Sequence, residues 1–177
     1  SRYVVCSIVS NLADVDFAYT ATSSISWTGA GTISGAVTSA SCSIDVDDNG
    51  NVFIASDEAA SIRVYNSSAG TFGSVGTVVA YNAAVDNMHL SILGTTILIT
   101  AIDATSDDLV VIWSTDGITY NNATYAGTFT DPEGCIDSNG NFHIIYTNGT
   151  VDYVRYVPGS NSFDSAEAFA NQGTERY

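Results

Sequence analysis

The sequence predicts an all-β protein built from repeated units, and three observations lead to this fold class. Short runs rich in Val, Ile, Thr, Tyr and Phe alternate with clusters of Gly, Asn, Asp and Ser, a pattern typical of short strands joined by turns. Helical periodicity is almost absent. Landmark residues recur at intervals of about 45 residues, which indicates that the strands belong to repeating units.

Two sets of landmarks define the repeat. One set of glycines, spaced by 44 and 46 residues, leads into apolar strands: Gly50, Gly94 and Gly140. One set of large aromatic residues, spaced by 48 and 43 residues, ends strands in the same phase: Tyr65, Trp113 and Tyr156. A repeat of this length that contains four short strands is typical of a β-propeller blade.

We therefore predict a β-propeller of about four four-stranded antiparallel blades, either a small propeller or part of a larger one. It would form a single domain over residues 1–177, with blades at about 3–38, 40–81, 86–130 and 132–171. A β-sandwich made of similar short strands is the alternative. Cys6, Cys42 and Cys135 are predicted to pack on the innermost strands as small side chains.

One turn carries a recognisable motif. The segment Ser114-Thr115-Asp116-Gly117-Ile118-Thr119-Tyr120 resembles the Asp-box, or BNR repeat, of sialidase-like propellers. The resemblance implies a hairpin between the third and fourth strands of a blade. It also implies a structural role for five residues: Ser114, Asp116, Gly117, Thr119 and Tyr120. Because enzymes and non-enzymes share this box, it implies a fold but gives no information about activity.

Catalytic sialidases bind the carboxylate of their substrate with three arginines. Arg63 and Arg155 are predicted on third strands, away from the axis, and Arg2 and Arg176 lie at the two ends of the chain. Because an arginine triad cannot be assembled from these positions, we predict no sialidase activity. We also expect that the chain is not an enzyme, and we assign no catalytic residue.

The segment Asp45-Val46-Asp47-Asp48-Asn49-Gly50 matches the opening of a calcium loop, where alternating oxygen ligands suit a hard cation. Asp45, Asp47 and Asn49 are therefore candidate Ca²⁺ ligands. The position where such a loop carries its bidentate Glu is Ser56, so a hairpin turn with solvated carboxylates is the other interpretation. No other cofactor is expected.

Further carboxylates fall in predicted loops that share one face of a propeller: Asp57, Glu58, Asp86, Asp103, Asp107, Asp108, Asp131 and Glu133. They are either solvated loop charges or paired acid and base groups. Three N-glycosylation sequons begin at Asn66, Asn122 and Asn148, in predicted turns or at strand ends. Together with the absence of lysine, they indicate an extracellular protein or one at a cell or virion surface.

The charge limits the partners. With 19 acidic and four basic residues the net charge is −15, so binding to nucleic acid is excluded, and no run of residues is apolar enough for membrane insertion. Our leading hypothesis is a non-catalytic extracellular module that binds protein or glycan partners or assembles with itself. A subunit of a surface filament, viral appendage or envelope layer is one version. The alternative is a fragment of a glycan-active, sialidase-like hydrolase.

Overall fold

The computed structural model of the chain describes residues 41–58, 61–67, 77–79 and 81–168 and, as backbone alone, three strands before residue 41. Within these parts the structure consists of strands and turns without a helix. It follows that none of the described residues belongs to a helix that is long and apolar enough to span a bilayer. The all-β prediction is confirmed.

The strands form four separate antiparallel sheets, in chain order. Sheet 1 contains β1 (Tyr3–Ile8), β2 (Val15–Thr20) and β3 (Gly29–Ile33). Sheet 2 contains β4 (Cys42–Val46), β5 (Val52–Asp57), β6 (Ile62–Ser67) and β7 (Thr77–Val78). Sheet 3 contains β8 (Val85–Leu93), β9 (Thr96–Asp103), β10 (Leu109–Ser114) and β11 (Asn121–Tyr125). Sheet 4 contains β12 (Thr130–Ile136), β13 (Phe142–Thr147), β14 (Val151–Val157), β15 (Ser162–Phe163) and β16 (Glu167–Ala168).

The first strands of successive sheets lie beside one another. Strand β1 contacts β4, β4 contacts β8, and β8 contacts β12. Within sheets 1 to 3, each later strand pairs with the one before it, so each sheet extends outward from this inner row. Sheets arranged around a row of inner strands are typical of propeller blades, whereas a sandwich packs two sheets face to face.

Hydrogen bonds from side chain to backbone join the inner strands of sheets 2 and 3. The hydroxyl oxygens of Ser41 and Ser43 accept the backbone N–H groups of Met88 and Leu90, at 3.0 and 2.9 Å. Oδ2 of Asp45 accepts the N–H of Ile92 at 2.8 Å. We call these three bonds the inter-sheet ladder. It satisfies backbone donors of β8 that point away from β9.

Two apolar cores fill the spaces on either side of sheet 3. The core between sheets 2 and 3 contains Ile62, Val85, Ile99 and Ile112 among its buried residues. The core between sheets 3 and 4 is richer in aromatic rings and contains Leu98, Leu109, Trp113, Phe142 and Tyr156 among its buried residues. Burial of one such side chain stabilises the fold by about 2 kcal/mol.

The aromatic landmarks do not occupy equivalent places. Trp113 of sheet 3 and Tyr156 of sheet 4 point toward each other, with ring centroids 4.9 Å apart. Trp113 thus faces the following sheet, whereas Tyr156 faces the preceding one. Aromatic packing between neighbouring sheets is present, as expected. The assumption that the landmarks occupy the same position in each sheet is wrong, because Trp113 and Tyr156 lie on opposite faces of their sheets, as neighbouring residues on one strand do.

The cysteines are also only partly as expected. Cys42 lies on β4 and Cys135 on β12, and both are inner strands. Cys42 is half-buried, whereas Cys135 is exposed, which corrects the expectation that it packs inside the fold. The side chain of Cys6 lies outside the described residues.

Candidate functional site

The two ends of the sheets differ in the carboxylates they carry. At one end β5 and β9 finish, at Asp57 and Asp103, while β8 and β12 begin, at Val85 and Thr130. We call this the acidic end, because the antiparallel order gathers most loop carboxylates there: Asp57, Glu58, Asp86, Asp103, Asp107, Asp108, Asp131 and Glu133. We call the opposite end, which carries the turns after β4, β8, β10 and β12, the turn end.

Asp57 is the buried carboxyl of the acidic end. It is the last residue of β5, its exposed fraction is 1%, and it accepts a hydrogen bond from the backbone N–H of Val85. Its Oδ1 atom is buried and has no hydrogen-bond partner within the part of the chain that the structure describes. Burial raises the pKa of Asp57, the Val85 bond opposes this effect, and the charges of Asp86 and Glu58 add to it; together they bring the pKa to about 6.

The inner strands begin with matching β-bulges at this end. The register of β8 shifts between Asp86 and His89, and that of β12 shifts between Thr130 and Glu133. Asn87 and Asp131 lie in these bulges with φ of 49° and 50°, a left-handed conformation that Asn and Asp tolerate better than most residues. Asp86, Asn87, Asp131 and Glu133 are all exposed, so the bulges direct polar side chains to solvent.

Glu58 has a structural role. Its carboxylate forms an ion pair with Arg63, with Nε and Oε2 2.6 Å apart, and accepts the hydroxyl of Tyr65. The Glu58 side chain is only 7% exposed. Burial and the bond to Glu58 raise the pKa of Tyr65 above its usual range. Glu58 therefore links the β5–β6 turn to its own sheet.

Asp103 and Asp108 organise the turn after β9. Asp103 accepts the hydroxyl of Tyr81 and the backbone N–H groups of Thr105 and Ser106 at 2.8 and 3.0 Å. These bonds, the Tyr81 bond first, lower the pKa of Asp103. Asp108 accepts the N–H of Gly127 at 2.9 Å. These two carboxylates are thus acceptors within the fold.

At the turn end, the segment predicted as an Asp-box forms a tight turn between β10 and β11. Oδ1 of Asp116 accepts the N–H groups of Ile118 and Thr119 at 2.8 and 2.7 Å, and these bonds lower the pKa of Asp116 to about 2. Oγ of Ser114 accepts the N–H of Gly117 at 2.8 Å; Gly117 has φ of 71°, which suits a residue without Cβ. Tyr120 is buried in the core between sheets 2 and 3.

The candidate calcium ligands lie in the β4–β5 turn, also at the turn end. Asp45 accepts the N–H groups of Ile92 and Val46. Oδ1 of Asp47 accepts the N–H groups of Asn49 and Asn51 at 3.0 and 2.7 Å, and Oδ2 accepts the side-chain amide of Asn51 at 2.8 Å. A calcium ion would compete with these donors. No cluster of three His, Cys, Asp or Glu residues suited to a metal occurs among the described residues, and calcium binding stays a prediction.

The β12–β13 turn repeats this arrangement. Oδ1 of Asp137 accepts the N–H groups of Asn139 and Asn141 at 2.8 and 2.9 Å, and Oδ2 accepts the amide of Asn141 at 2.9 Å. Nε2 of His143 lies 3.2 Å from the same Oδ2. Hydrogen bonds from Asn141, ahead of those from His143 and Asn139, hold the pKa of Asp137 well below its usual range.

The glycosylation candidates are exposed. Asn66 lies on β6, Asn122 on β11 and Asn148 in the turn after β13. A glycan at these positions would meet solvent, and glycosylation itself stays a prediction. The arginines are in the predicted strands: Arg63 is on β6 and Arg155 on β14, while Arg2 and Arg176 lie outside the described residues.

An open groove of about 580 Å³ lies at the turn end, between sheets 3 and 4. It is lined by Trp113, Tyr120, Asn121, Asn122, Pro158 and Asn161 and by no ionisable carboxylate. It is therefore separate from the acidic end. We place the candidate site at the acidic end, because Asp57, the carboxyl with a raised pKa, lies there.

Comparison with known proteins identifies the fold. No family model and no curated protein sequence matches the chain. Among solved structures, the NanB sialidase of Streptococcus pneumoniae matches with a TM-score of 0.60 and 11% identity, over 85% of this chain and 27% of the sialidase. The GH43B protein of the Bacteroides ovatus xyloglucan locus matches with a TM-score of 0.60 and 12% identity, over 99% and 44% of the two chains. A bifunctional GH43-CE protein of Bacteroides eggerthii matches with a TM-score of 0.61 and 10% identity, over 96% and 24%.

These matches are β-propeller glycosidases, and they support the propeller prediction over the sandwich. The chain spans between about a quarter and under half of their lengths. The expectation that the chain is not an enzyme is corrected by this finding, since the structures that share its fold are enzymes. None of the matches is described as a filament, appendage or envelope subunit, so the assembly hypothesis has no support from them.

Proposed function

We propose that the four sheets are part of a glycan-active β-propeller hydrolase whose substrate lies across the acidic end. The observation that carries this proposal is Asp57, a buried carboxyl with a pKa of about 6 beside the exposed Asp86. Hydrolysis of glycosidic bonds depends on carboxyl groups whose protonation states are set by their surroundings. A buried carboxyl that changes its charge near pH 6 beside an exposed carboxyl is such a setting.

The two residues have different roles in this proposal. Asp86 is exposed at the bulge of β8 and is the group that contacts the glycan. Asp57, at 1% exposure, is a positioning residue: below about pH 6 it is neutral, and above that pH it adds a second negative charge beside Asp86. We therefore expect the reaction rate to change with a midpoint near pH 6.

The charge of the acidic end favours a neutral glycan. The net charge of the chain is −15, and the exposed Asp86, Asp131 and Glu133 add local negative charge. Such a surface repels anionic sugars and leaves the binding of neutral ones unaffected. The match to a protein of a xyloglucan locus makes xyloglucan a suitable first probe.

The test compares xyloglucan with sialyllactose as substrates of the chain, by release of reducing sugar between pH 4 and 8. We expect xyloglucan to be cleaved, Asp86→Asn to abolish cleavage, and Asp57→Asn to retain cleavage without the change near pH 6. Asp131→Asn, at the corresponding bulge of β12, is the matched control and should behave as the wild type. Loss of activity in the control as well, or no cleavage of either substrate by the wild type, would refute the assignment to this site.

The turn at Ser114–Tyr120 supports a second part of the proposal, that the chain is related to the Asp-box propellers. Its hydrogen bonds are local to the turn, as expected of a folding motif. An extracellular location agrees with the exposed Asn66, Asn122 and Asn148. Expression through a eukaryotic secretory route, followed by glycosidase treatment and mass measurement, would test this location through the use of the sequons.

A further inference from the structure

The sequence contains three Asn-Gly pairs, and each of them lies in a turn. Asn49-Gly50 is in the β4–β5 turn, Asn139-Gly140 in the β12–β13 turn and Asn148-Gly149 in the β13–β14 turn. The three asparagines are exposed, and the three glycines have positive φ values between 70° and 81°. The dipeptide, its exposure and its backbone region are thus shared, so these features do not distinguish one pair from another.

An asparagine before glycine can lose its side-chain amide without an enzyme, because glycine has no Cβ to hinder ring closure. The backbone nitrogen of the glycine attacks Cγ of the asparagine, the bond from Cγ to Nδ2 breaks, and ammonia leaves with the proton of the attacking nitrogen. Water then opens the succinimide ring to aspartate or isoaspartate. The reaction consumes water, releases ammonia and needs no oxidant or reductant. Since the nitrogen must give up its proton, an N–H group that donates a hydrogen bond reacts more slowly.

Two of the three attacking nitrogens are held by hydrogen bonds. The N–H of Gly50 donates to the carbonyl oxygen of Asp47 at 2.9 Å, and the N–H of Gly140 donates to the carbonyl oxygen of Asp137 at 3.0 Å. The carboxylates of the same two aspartates accept the N–H groups of the residues before and after each glycine. Both turns must therefore open before the glycine nitrogen can attack.

The nitrogen of Gly149 is in a different situation. No hydrogen bond from its N–H group is seen within the part of the chain that the structure describes. The turn is closed instead by the N–H of Asn148, which donates to the carbonyl oxygen of Thr150 at 2.9 Å. Gly149 is itself exposed. This turn therefore brings the two reacting groups together without the bond that protects the other two pairs.

The unprotected pair also lies at the opposite end of the sheets from the two protected ones. The end of β13 pairs with the start of β12, through Thr147 and Thr130, so the β13–β14 turn is at the acidic end. The matching turns of sheets 2 and 3 carry carboxylates, Glu58 after β5 and Asp107 after β9. Residues 148–150 are Asn, Gly and Thr and carry none. Loss of the amide would supply a carboxylate to this turn as well.

We propose that Asn148 is a site of spontaneous deamidation, which converts a neutral turn residue into a carboxylate at the acidic end. The other two asparagines keep their amides in the folded chain, because a hydrogen bond holds each attacking nitrogen. The reaction does not depend on the proposed hydrolase function, and only its consequence for substrate binding rests on that function. A glycan on Nδ2 of Asn148, which begins a sequon, would block the reaction, because Nδ2 belongs to the leaving group.

The test measures deamidation at the three pairs in folded and in unfolded chains. The 177-residue chain, produced in a host without N-glycosylation, is incubated at neutral pH in buffer and in urea. Samples are digested with pepsin at acid pH, and the deamidated fraction at each pair is measured by mass spectrometry. In buffer we expect Asn148 to react about tenfold faster than Asn49 or Asn139, the factor by which one turn hydrogen bond reduces the population of the open turn. In urea the three rates should converge, because the dipeptide is the same.

Two matched variants test whether the hydrogen bonds are the cause of protection. Asp137→Ala removes the carboxylate that orders the β12–β13 turn and should raise the rate at Asn139 but not at Asn49. Asp47→Ala should do the reverse. Equal rates at the three pairs in buffer, or no change at the affected turn in either variant, would overturn the proposal. Such a result would leave the cleavage assay with Asp86→Asn unaffected, so this proposal and the proposed function can fail separately.

Discussion

Aspartate has opposite roles at the acidic end and at the turn end. Asp57 at the acidic end is buried, has one oxygen without a partner among the described residues, and has a pKa raised to about 6. Asp116 at the turn end is exposed, accepts two backbone N–H groups, and has a pKa lowered to about 2. The side chain is identical, so its surroundings alone account for the difference of about four pKa units.

This comparison separates structural carboxylates from a functional candidate. A carboxylate that accepts several N–H groups is committed to its ionised form, because protonation would weaken those bonds. A buried carboxyl without enough donors is more stable as the neutral acid, and it can gain or lose a proton near neutral pH. By this criterion Asp103 belongs with the structural group although it lies at the acidic end, because Tyr81 and two backbone amides donate to it.

The largest expected effect follows from removing the charge of Asp57. Its pKa is higher in the folded chain, about 6, than in an unfolded chain, so the folded state retains a proton that the unfolded state loses. Stability from this group is therefore present at pH 4 and decreases as the pH rises through 6, by about 3 kcal/mol in total. Asp57→Asn should raise the free energy of unfolding at pH 7 by up to about that amount and leave it unchanged at pH 4.

Urea unfolding of the wild type and of Asp57→Asn at both pH values measures this effect. Asp131→Asn, a change at an exposed residue of the same end, should show no such dependence on pH. Lower stability of Asp57→Asn at pH 7 would mean that the ionised form of Asp57 stabilises the fold, contrary to the comparison.

The next effect concerns the structural carboxylate of the acidic end. Tyr81→Phe removes the hydroxyl that donates to Asp103 and should destabilise the chain by about 1.5 kcal/mol, a typical value for a hydrogen bond to a charged group. A double-mutant cycle with Asp103→Asn isolates the interaction. If the two changes are additive, the bond contributes nothing and Asp103 does not belong with the structural group.

At the turn end, the two matching turns allow a paired experiment. Asp47→Ala and Asp137→Ala each remove an acceptor of two backbone N–H groups and one side-chain amide. Each should lower the melting temperature by about 3 °C, the scale of a modest loss for a chain of this size. Asp48→Ala and Ser138→Ala change the adjacent, exposed residues and should leave it unchanged. An equal decrease in these controls would assign the effect to the turn backbone instead of the carboxylates.

The smallest effect is the acid titration of Asp116. Its pKa is lower in the folded chain, about 2, than in an unfolded chain, so its stabilising contribution is complete above about pH 4 and decreases as the pH falls through 2. Carbon-detected NMR of the side-chain carboxyl should give a midpoint near 2. A midpoint near 4 would show that the turn does not hold the carboxylate.

Much of the fold could be predicted from local sequence. In the turns predicted from Asn-Gly pairs, Gly50 and Gly140 adopt positive φ values of 81° and 80°, a conformation that glycine reaches without steric cost. Those turns fix the start of each second strand, and the repeat spacing then places the remaining strands. The bonds made by Ser114 and Asp116 are also local, because they form within seven residues of the chain.

Features that depend on contacts between sheets could not be predicted in the same way. The burial of Asp57 comes partly from Val85, which lies 28 residues later in the chain, and no pattern around Asp57 indicates that neighbour. The face of Trp113 could not be predicted because the spacings of 48 and 43 residues include loops of different length, and a shift of one residue reverses the face of a strand. The exposure of Cys135 depends on which neighbours pack against β12, which the sequence of its own strand does not specify.

The inter-sheet ladder joins a side chain of one sheet to the main chain of the next. Ser41, Ser43 and Asp45 recognise amide groups of Met88, Leu90 and Ile92 that any residue except proline would offer at those positions. Strand β8, which donates these N–H groups, can therefore change its side chains without losing the bonds, and only sheet 2 has to keep its acceptor side chains. One unit could therefore be duplicated or exchanged for another without a matching set of mutations in its neighbour, and the side chains of the neighbouring strand could diverge while the two sheets keep these bonds.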